Sequence, residues 1–96
     1  MQSVKRIEII VDSPEVPALL AVLKSVGVTG YTVYEQLWGS GDRGERRNDE
    51  PGGGGNACVL TTTTAADLPR LIETVRPILR RRGGLCLVSD AHLVMH

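Results

Sequence analysis

The sequence predicts an α+β domain of the ferredoxin-like kind, β-α-β-β-α-β, built on an antiparallel sheet. Three features of the 96 residues predict it. Four runs rich in β-branched residues read as strands. Two intervening segments carry apolar residues at helical spacing and end on glycine. One long glycine-rich insert separates the second strand from the third. A chain of this length supports one core, so a single domain over residues 1–96 is expected.

Residues 4–11 (VKRIEIIV) form the first strand, with Ile7, Ile9 and Val11 on one face and Arg6 and Glu8 on the other. Ser13-Pro14-Glu15 opens the first helix: the serine suits the cap, the proline the first helical position, the glutamate the positive end of the dipole. Val16, Leu19, Leu20 and Leu23 follow on one helical face, and Gly27 stands where a left-handed residue ends a helix. Residues 30–37 are the second strand and residues 57–64, with four consecutive threonines, the third. Residues 64–67 approach a capping box for the second helix, whose stripe is Leu68, Leu71, Ile72, Val75, Ile78 and Leu79. Pro69 is early enough to be tolerated, whereas Pro77 removes an internal hydrogen bond and should bend the last turns. Gly83-Gly84 ends that helix, and the last strand starts at Leu85 and runs toward Val94.

Composition excludes several functions. Eleven basic residues balance eleven acidic ones, so bulk charge holds the chain to neither nucleic acid nor a membrane surface. No apolar run approaches ~20 residues, and the N-terminus leads straight into a strand without the pattern of a signal peptide. A cytoplasmic setting with reduced thiols is expected, since two cysteines, Cys58 and Cys86, make no disulfide scaffold. They lie on strands that this topology does not pair and read as small core residues. Aromatic residues are scarce (Tyr31, Tyr34, Trp38), so the core must come from aliphatic side chains, and self-association is a natural way to bury more surface.

The insert, residues 38–56, is 19 residues long and holds seven of the eleven glycines. Two antiparallel strands could have used a two-residue turn, and loops this long in small domains are usually functional or disordered. The insert is expected to be mobile when free and ordered by a ligand or partner. Gly39-Ser40-Gly41-Asp42-Arg43-Gly44 matches G-x-G-x-x-G, but no helix follows, so it is not a dinucleotide fingerprint. Glu45-Arg46 also replaces the Lys-Ser/Thr pair of a Walker loop. Two readings stand: an anion cradle of backbone N–H groups helped by arginines, or a solvated hairpin tip.

The first strand Lys5-Arg6-Ile7-Glu8-Ile9-Ile10, the segment Gly30-Tyr31-Thr32-Val33-Tyr34-Glu35 and the glycine segment from Gly39 to Gly44 together resemble the PII signalling family. The resemblance is greatest to its PII-like branch, linked to bicarbonate transport and carboxysome operons. In that family a Gly-x-Thr-Val-x-Glu strand runs into a Gly-x-Gly-Arg segment that opens the long T-loop, here residues 38–56. The resemblance implies a non-enzymatic homotrimer with a nucleotide in each of three inter-subunit clefts. Gly30, Tyr31 and Thr32 would line the adenine side, Gly39, Ser40, Gly41 and Arg43 would meet ribose or phosphate, Thr61, Thr62 and Thr63 would face the base, and Gly83 and Gly84 would offer N–H groups to phosphate. His92 would reach the nucleotide across the subunit boundary.

Two departures remove positive charge from the γ-phosphate end. Leu85 stands where the family carries a lysine, and the sequence ends at His96 without the arginine-bearing segment. AMP or ADP, or a cyclic nucleotide, is therefore expected over ATP. Bicarbonate is a candidate co-ligand that Arg46 or Arg47 could bind bidentately. No prosthetic group is expected. The T-loop would engage a partner protein in inorganic-carbon metabolism, with a membrane transporter and the carboxysome as settings the resemblance suggests. Ordering costs ~1–2 kcal/mol per residue, so only the loop base, residues 39–47, is expected to order fully.

Other features carry weaker chemistry. His92 and His96 on one strand would stand ~13 Å apart, too far for one metal even with Asp90 beside them. Arg80-Arg81-Arg82 either compensates the helix dipole or, through Arg82, helps neutralise phosphate. Trp38 either stacks on a base, anchors the loop or packs at a subunit interface. Two competing functions remain: an acylphosphatase-type hydrolase, for which only Asn48 and Asn56 supply amides, and a trimeric metal-tolerance module.

Overall fold

The structure, a computed structural model, describes residues 1–37, 39–41, 44–46 and 55–96, with the backbone alone described at 36–37, 39–41 and 44–46. Strand β1 (Gln2–Asp12) leads through a 3-10 turn (Ser13–Glu15) into helix α1 (Val16–Ser25). Strand β2 (Tyr31–Leu37) and two short strands, β3 (Gly39–Gly41) and β4 (Gly44–Arg46), follow. Strand β5 (Asn56–Thr63), helix α2 (Leu68–Arg82) and strand β6 (Leu85–Leu93) complete the fold. The main sheet has the antiparallel order β2-β5-β1-β6, the ferredoxin-like arrangement that the element order predicts.

Strand alternation decides which face each side chain takes. Ile7, Ile9 and Val11 on β1 stand beside Thr61, Val59 and Ala57 on β5, facing the helices. With Val16, Leu19 and Leu23 of α1 and Leu71, Val75 and Ile78 of α2 they form the core; all but Thr61 belong to one apolar cluster. The opposite, open face carries Val4, Arg6, Glu8 and Ile10 of β1 beside Thr62, Leu60 and Cys58 of β5 and Ala91, Ser89, Leu87 and Leu85 of β6. Leu85, Leu87, Leu93 and Tyr34 on that face are exposed.

Four expectations need correction. The first helix does not start at Ser13. The N–H of Val16 returns to the Ser13 carbonyl in a 3-10 turn, and the buried Ser13 hydroxyl makes no hydrogen bond among the described residues. The turn is held instead by the Ser13 N–H, which donates to the Gly55 carbonyl at 3.0 Å. The insert is not wholly irregular, because β3 pairs with β4 as a two-stranded ribbon (Gly39 opposite Arg46, Gly41 opposite Gly44). Asn56 belongs to β5, paired with Asp12 and Leu37, so it is no loop amide for hydrolysis. Asn48 lies outside the described residues. Finally, β6 ends at Leu93, so His96 shares no strand face with His92.

The caps show how the remaining signals work. At the end of α1 the N–H of Val28 donates to Leu23 and that of Gly27 to Lys24, with Gly27 at φ +91°. Before α2 the N–H of Asp67 donates to the Thr64 hydroxyl at 3.1 Å, the first leg of the expected box. Helix α2 runs through Pro77 to Gly83, whose N–H donates to the Leu79 carbonyl at 2.8 Å.

Candidate functional site

A groove of about 350 Å³ crosses the open face at one end of the sheet. Val4 and Arg6 from β1, Tyr31 and Thr32 from β2, Leu60, Thr61 and Thr62 from β5, and Ala91, His92 and Leu93 from β6 line it, with Gly30 at its rim. Side chains from all four strands meet here because β5 and β6 both pair with β1 around Arg6, Thr62 from one side and Ser89 from the other. Apolar residues form most of the wall. Threonine hydroxyls, one guanidinium, the Tyr31 phenol and the His92 imidazole supply the polarity.

Five of the expected ligand residues, Gly30, Tyr31, Thr32, Thr61 and Thr62, are therefore brought together. Thr63, on the other strand face, lines a second groove of about 310 Å³ with Val28, Thr29, Thr64 and Asp67; Gly30 and Thr62 border both. Thr61 is buried and its hydroxyl donates to the Gly30 carbonyl at 2.6 Å, which ties the start of β2 to β5. Thr61→Val keeps the shape but strands that carbonyl, so a loss of about 1–2 kcal/mol in urea unfolding is expected. A loss below a few tenths would show that the bond does not hold β2.

Gly83 and Gly84 lie elsewhere, and the expectation that both offer N–H groups to phosphate needs correction for Gly83, whose N–H caps α2 on the Leu79 carbonyl. The two glycines have φ +80° and +115°, and Gly84 packs against the Ile10 carbonyl and Val11, at the end of β1 away from the groove. From Arg6 to Ile10 the strand rises roughly 13 Å. The loop base belongs to the same distant end, since β2 reaches it where Leu37 pairs with Asn56, and Asn56 with Asp12. Gly39, Ser40, Gly41 and Arg46 lie on the backbone of the β3–β4 ribbon, which begins two residues beyond Leu37. Arg43, Arg47 and Trp38 lie outside the described residues. One chain thus places the two groups of expected ligand residues at opposite ends of its sheet.

Electrostatics separate the remaining candidates. Burial pushes both thiols up. At Cys58 the Glu8 carboxylate adds to that rise, while Arg6 and a backbone hydrogen bond from Ile9 oppose it. Both cysteines are free, and they stand on either side of β1, opposite Ile10 and Ile9. The Lys5 ammonium donates to Asp90 and holds its carboxyl below the usual range. Among the described residues no group of three His, Cys, Asp or Glu could hold a metal ion. Arg82 pairs with Glu15 at 3.7 Å, so the helix-end cation is already engaged by the turn before α1. No described helix is long and apolar enough to cross a membrane.

The family profile described as nitrogen regulatory protein P-II matches residues 4–95, nearly the whole chain. The chain belongs to the P-II family. No curated protein matches the sequence. Solved P-II-like structures share the fold at low identity. CPII from Thiomonas intermedia K12, bound to ADP, AMP and bicarbonate, superposes with a TM-score of 0.87 at 22% identity, over 95% of this chain and 88% of that one. The apo form of CPII gives a TM-score of 0.78, again at 22% identity, over 95% and 91%. A PII-like signalling protein from Thermus thermophilus gives 0.77 at 19%, over 97% and 90%. P-II proteins are regulatory.

Arg6 is the residue that sequence reasoning misses. Period-two alternation puts Arg6 on the polar face of a strand but says nothing about which strand lies next to it. Its place beside Thr62 depends on the register of β1 against β5.

Proposed function

We propose that this P-II protein is a PII-like sensor that binds an adenine nucleotide, AMP or ADP ahead of ATP, with bicarbonate as co-ligand, in the clefts of a homotrimer. The separation of the two groups carries this reading. Gly30, Tyr31, Thr32 and Thr62 at one end of the sheet and Gly83, Gly84 and the loop base at the other stand roughly 13 Å or more apart along one chain. A neighbouring copy can bring its groove to the glycine turn, and the apolar open face supplies the surface for that assembly.

The chemistry of each half suits the ligand. Val4, Leu60, Ala91 and Leu93 offer a flat apolar wall for a purine, and threonines offer hydroxyls to its edge. The Gly83 N–H is taken by the Leu79 carbonyl, so Gly84, at φ +115° and without a Cβ, is the residue of the turn that would offer an N–H to phosphate. Leu85 puts no cation at the phosphate end, which favours the shorter polyphosphate. The ribbon of β3 and β4 would carry the signal: ligand that binds the ordered loop better than the disordered one shifts the population, and the ordered loop then engages a partner protein of inorganic-carbon metabolism. That CPII binds ADP, AMP and bicarbonate supports the ligand set.

Calorimetric titration with AMP, ADP, ATP and cyclic AMP, each with and without bicarbonate, tests the reading, alongside light scattering for the trimer. AMP or ADP should bind at one site per chain and ATP more weakly. Silence with every nucleotide would end it. Arg46→Ala and Arg47→Ala should lower the response to bicarbonate; an unchanged response in both would remove the loop arginines from the site.

A further inference from the structure

We infer that Arg6 binds an oxyanion in the open-face groove, an inference that rests on the nucleotide-sensor reading above. A row of side chains crosses the sheet at this point. Thr62 of β5, Arg6 of β1 and Ser89 of β6 are direct cross-strand neighbours on one face. Neighbours of this kind stand ~4.5–5.5 Å apart at their β-carbons, so two hydroxyl-bearing residues stand beside Arg6 in the row. The groove around it is otherwise apolar or neutral: Val4, Leu60, Ala91 and Leu93 form its wall, and Thr32 and His92 add polar edges.

Arg6 is the one permanently charged group among the residues lining the groove. Its Nη1 donates to the Glu8 carboxylate at 3.2 Å, two residues along the same strand. That contact alone would make a surface ion pair of little consequence. Two further facts point to more. A guanidinium carries five N–H donors in a planar fork, and one oxygen at Nη1 does not fill them. The face on which it stands is also the apolar face that self-association would cover, and a covered cation is tolerated only when its donors are satisfied. An oxyanion in the groove satisfies both conditions. It meets the fork bidentately and leaves the uncharged part of the ligand against Val4, Leu60 and Leu93.

Two sources carry this chemistry: free bicarbonate beside the purine, or the phosphoryl group of a nucleotide, which would then lie in the groove and not at the glycine turn. Titrations of Arg6→Gln with ADP and AMP, each with and without bicarbonate, separate them. Arg6 is about half-exposed, at 47%, so the variant should fold, and an unchanged thermal midpoint checks that. Loss of the charge-assisted bonds should weaken the ligand at least about tenfold. A nucleotide affinity that falls whether or not bicarbonate is present assigns the phosphoryl group to Arg6. Loss of the bicarbonate effect alone, with nucleotide affinity kept, assigns bicarbonate. Identical titrations for the variant and the unaltered chain overturn the inference and leave the sensor reading standing. Absence of any nucleotide binding by the unaltered chain defeats both.

Discussion

Gly84→Ala is expected to cost about 3–5 kcal/mol of stability, a large share of what a domain of this size possesses. Gly84 sits at φ +115°, which L side chains rarely adopt, and a Cβ there would press into the Ile10 carbonyl oxygen and stand 3.3 Å from Leu79 Cδ2 and Val11 Cγ1. Backbone strain of this sort costs ~1–3 kcal/mol, and forced overpacking a similar amount. The obstacle is backbone in the middle of the sheet, so no side-chain rotation relieves it. Gly27→Ala is the built-in comparison. Gly27 also has positive φ, at +91°, but a Cβ there would meet nothing within 4 Å. It should lose only ~1 kcal/mol. Urea unfolding of the two variants measures the difference, and equal losses would mean that the close approach to Ile10 contributes nothing.

Leu87→Asp is expected to leave the chain folded and abolish the proposed trimer together with nucleotide binding. Leu87 lies on the open face opposite Glu8 and is 55% exposed in the single chain. There a carboxylate costs little: the like charge across the strand pair is worth under ~1 kcal/mol. In the assembly the same carboxylate would be covered without a partner cation, at several kcal/mol per buried ion, once for each of three copies. Light scattering should report a monomer with a native circular dichroism spectrum. Calorimetry should report no ADP binding, because each cleft needs the groove of one copy and the glycine turn of another. A trimer that survives the substitution would place the interface on some other surface.

The fold was legible because its signals are local and agree with one another. Alternation at Ile7, Ile9 and Val11 and the stripes from Leu19 to Leu23 and from Leu71 to Ile78 name the residues that meet in the core. Gly27 and Gly83 mark the helix ends at which positive φ is found. The signals that misled were equally local. Ser13 has the chemistry of a cap, but in a 3-10 turn the Val16 N–H is taken by the Ser13 carbonyl, and the hydroxyl has no free donor to receive. The glycines of the insert read as irregular, yet Gly39 and Gly41 pair across a ribbon, since ladder bonds come from the backbone and do not need side chains.

The candidate site was legible only in pieces. Gly30 to Thr32 and Thr61 to Thr63 were named from the resemblance, and strand parity then divided the threonines, sending Thr62 to the groove and the Thr61 hydroxyl to the Gly30 carbonyl. Arg6 carried no mark of a ligand residue, because what distinguishes it is its neighbours.

The sequence by itself determined the order of the four main strands and two helices, the membership of the core and where each helix stops, since periodicity and backbone preference act over a few residues. Only the tertiary structure decided that Thr62, Arg6 and Ser89 form one row, and that the groove and the glycine turn stand at opposite ends of the sheet. Those facts follow from the register between strands far apart in the chain, which is set by burying all the core positions at once and is written in no single segment.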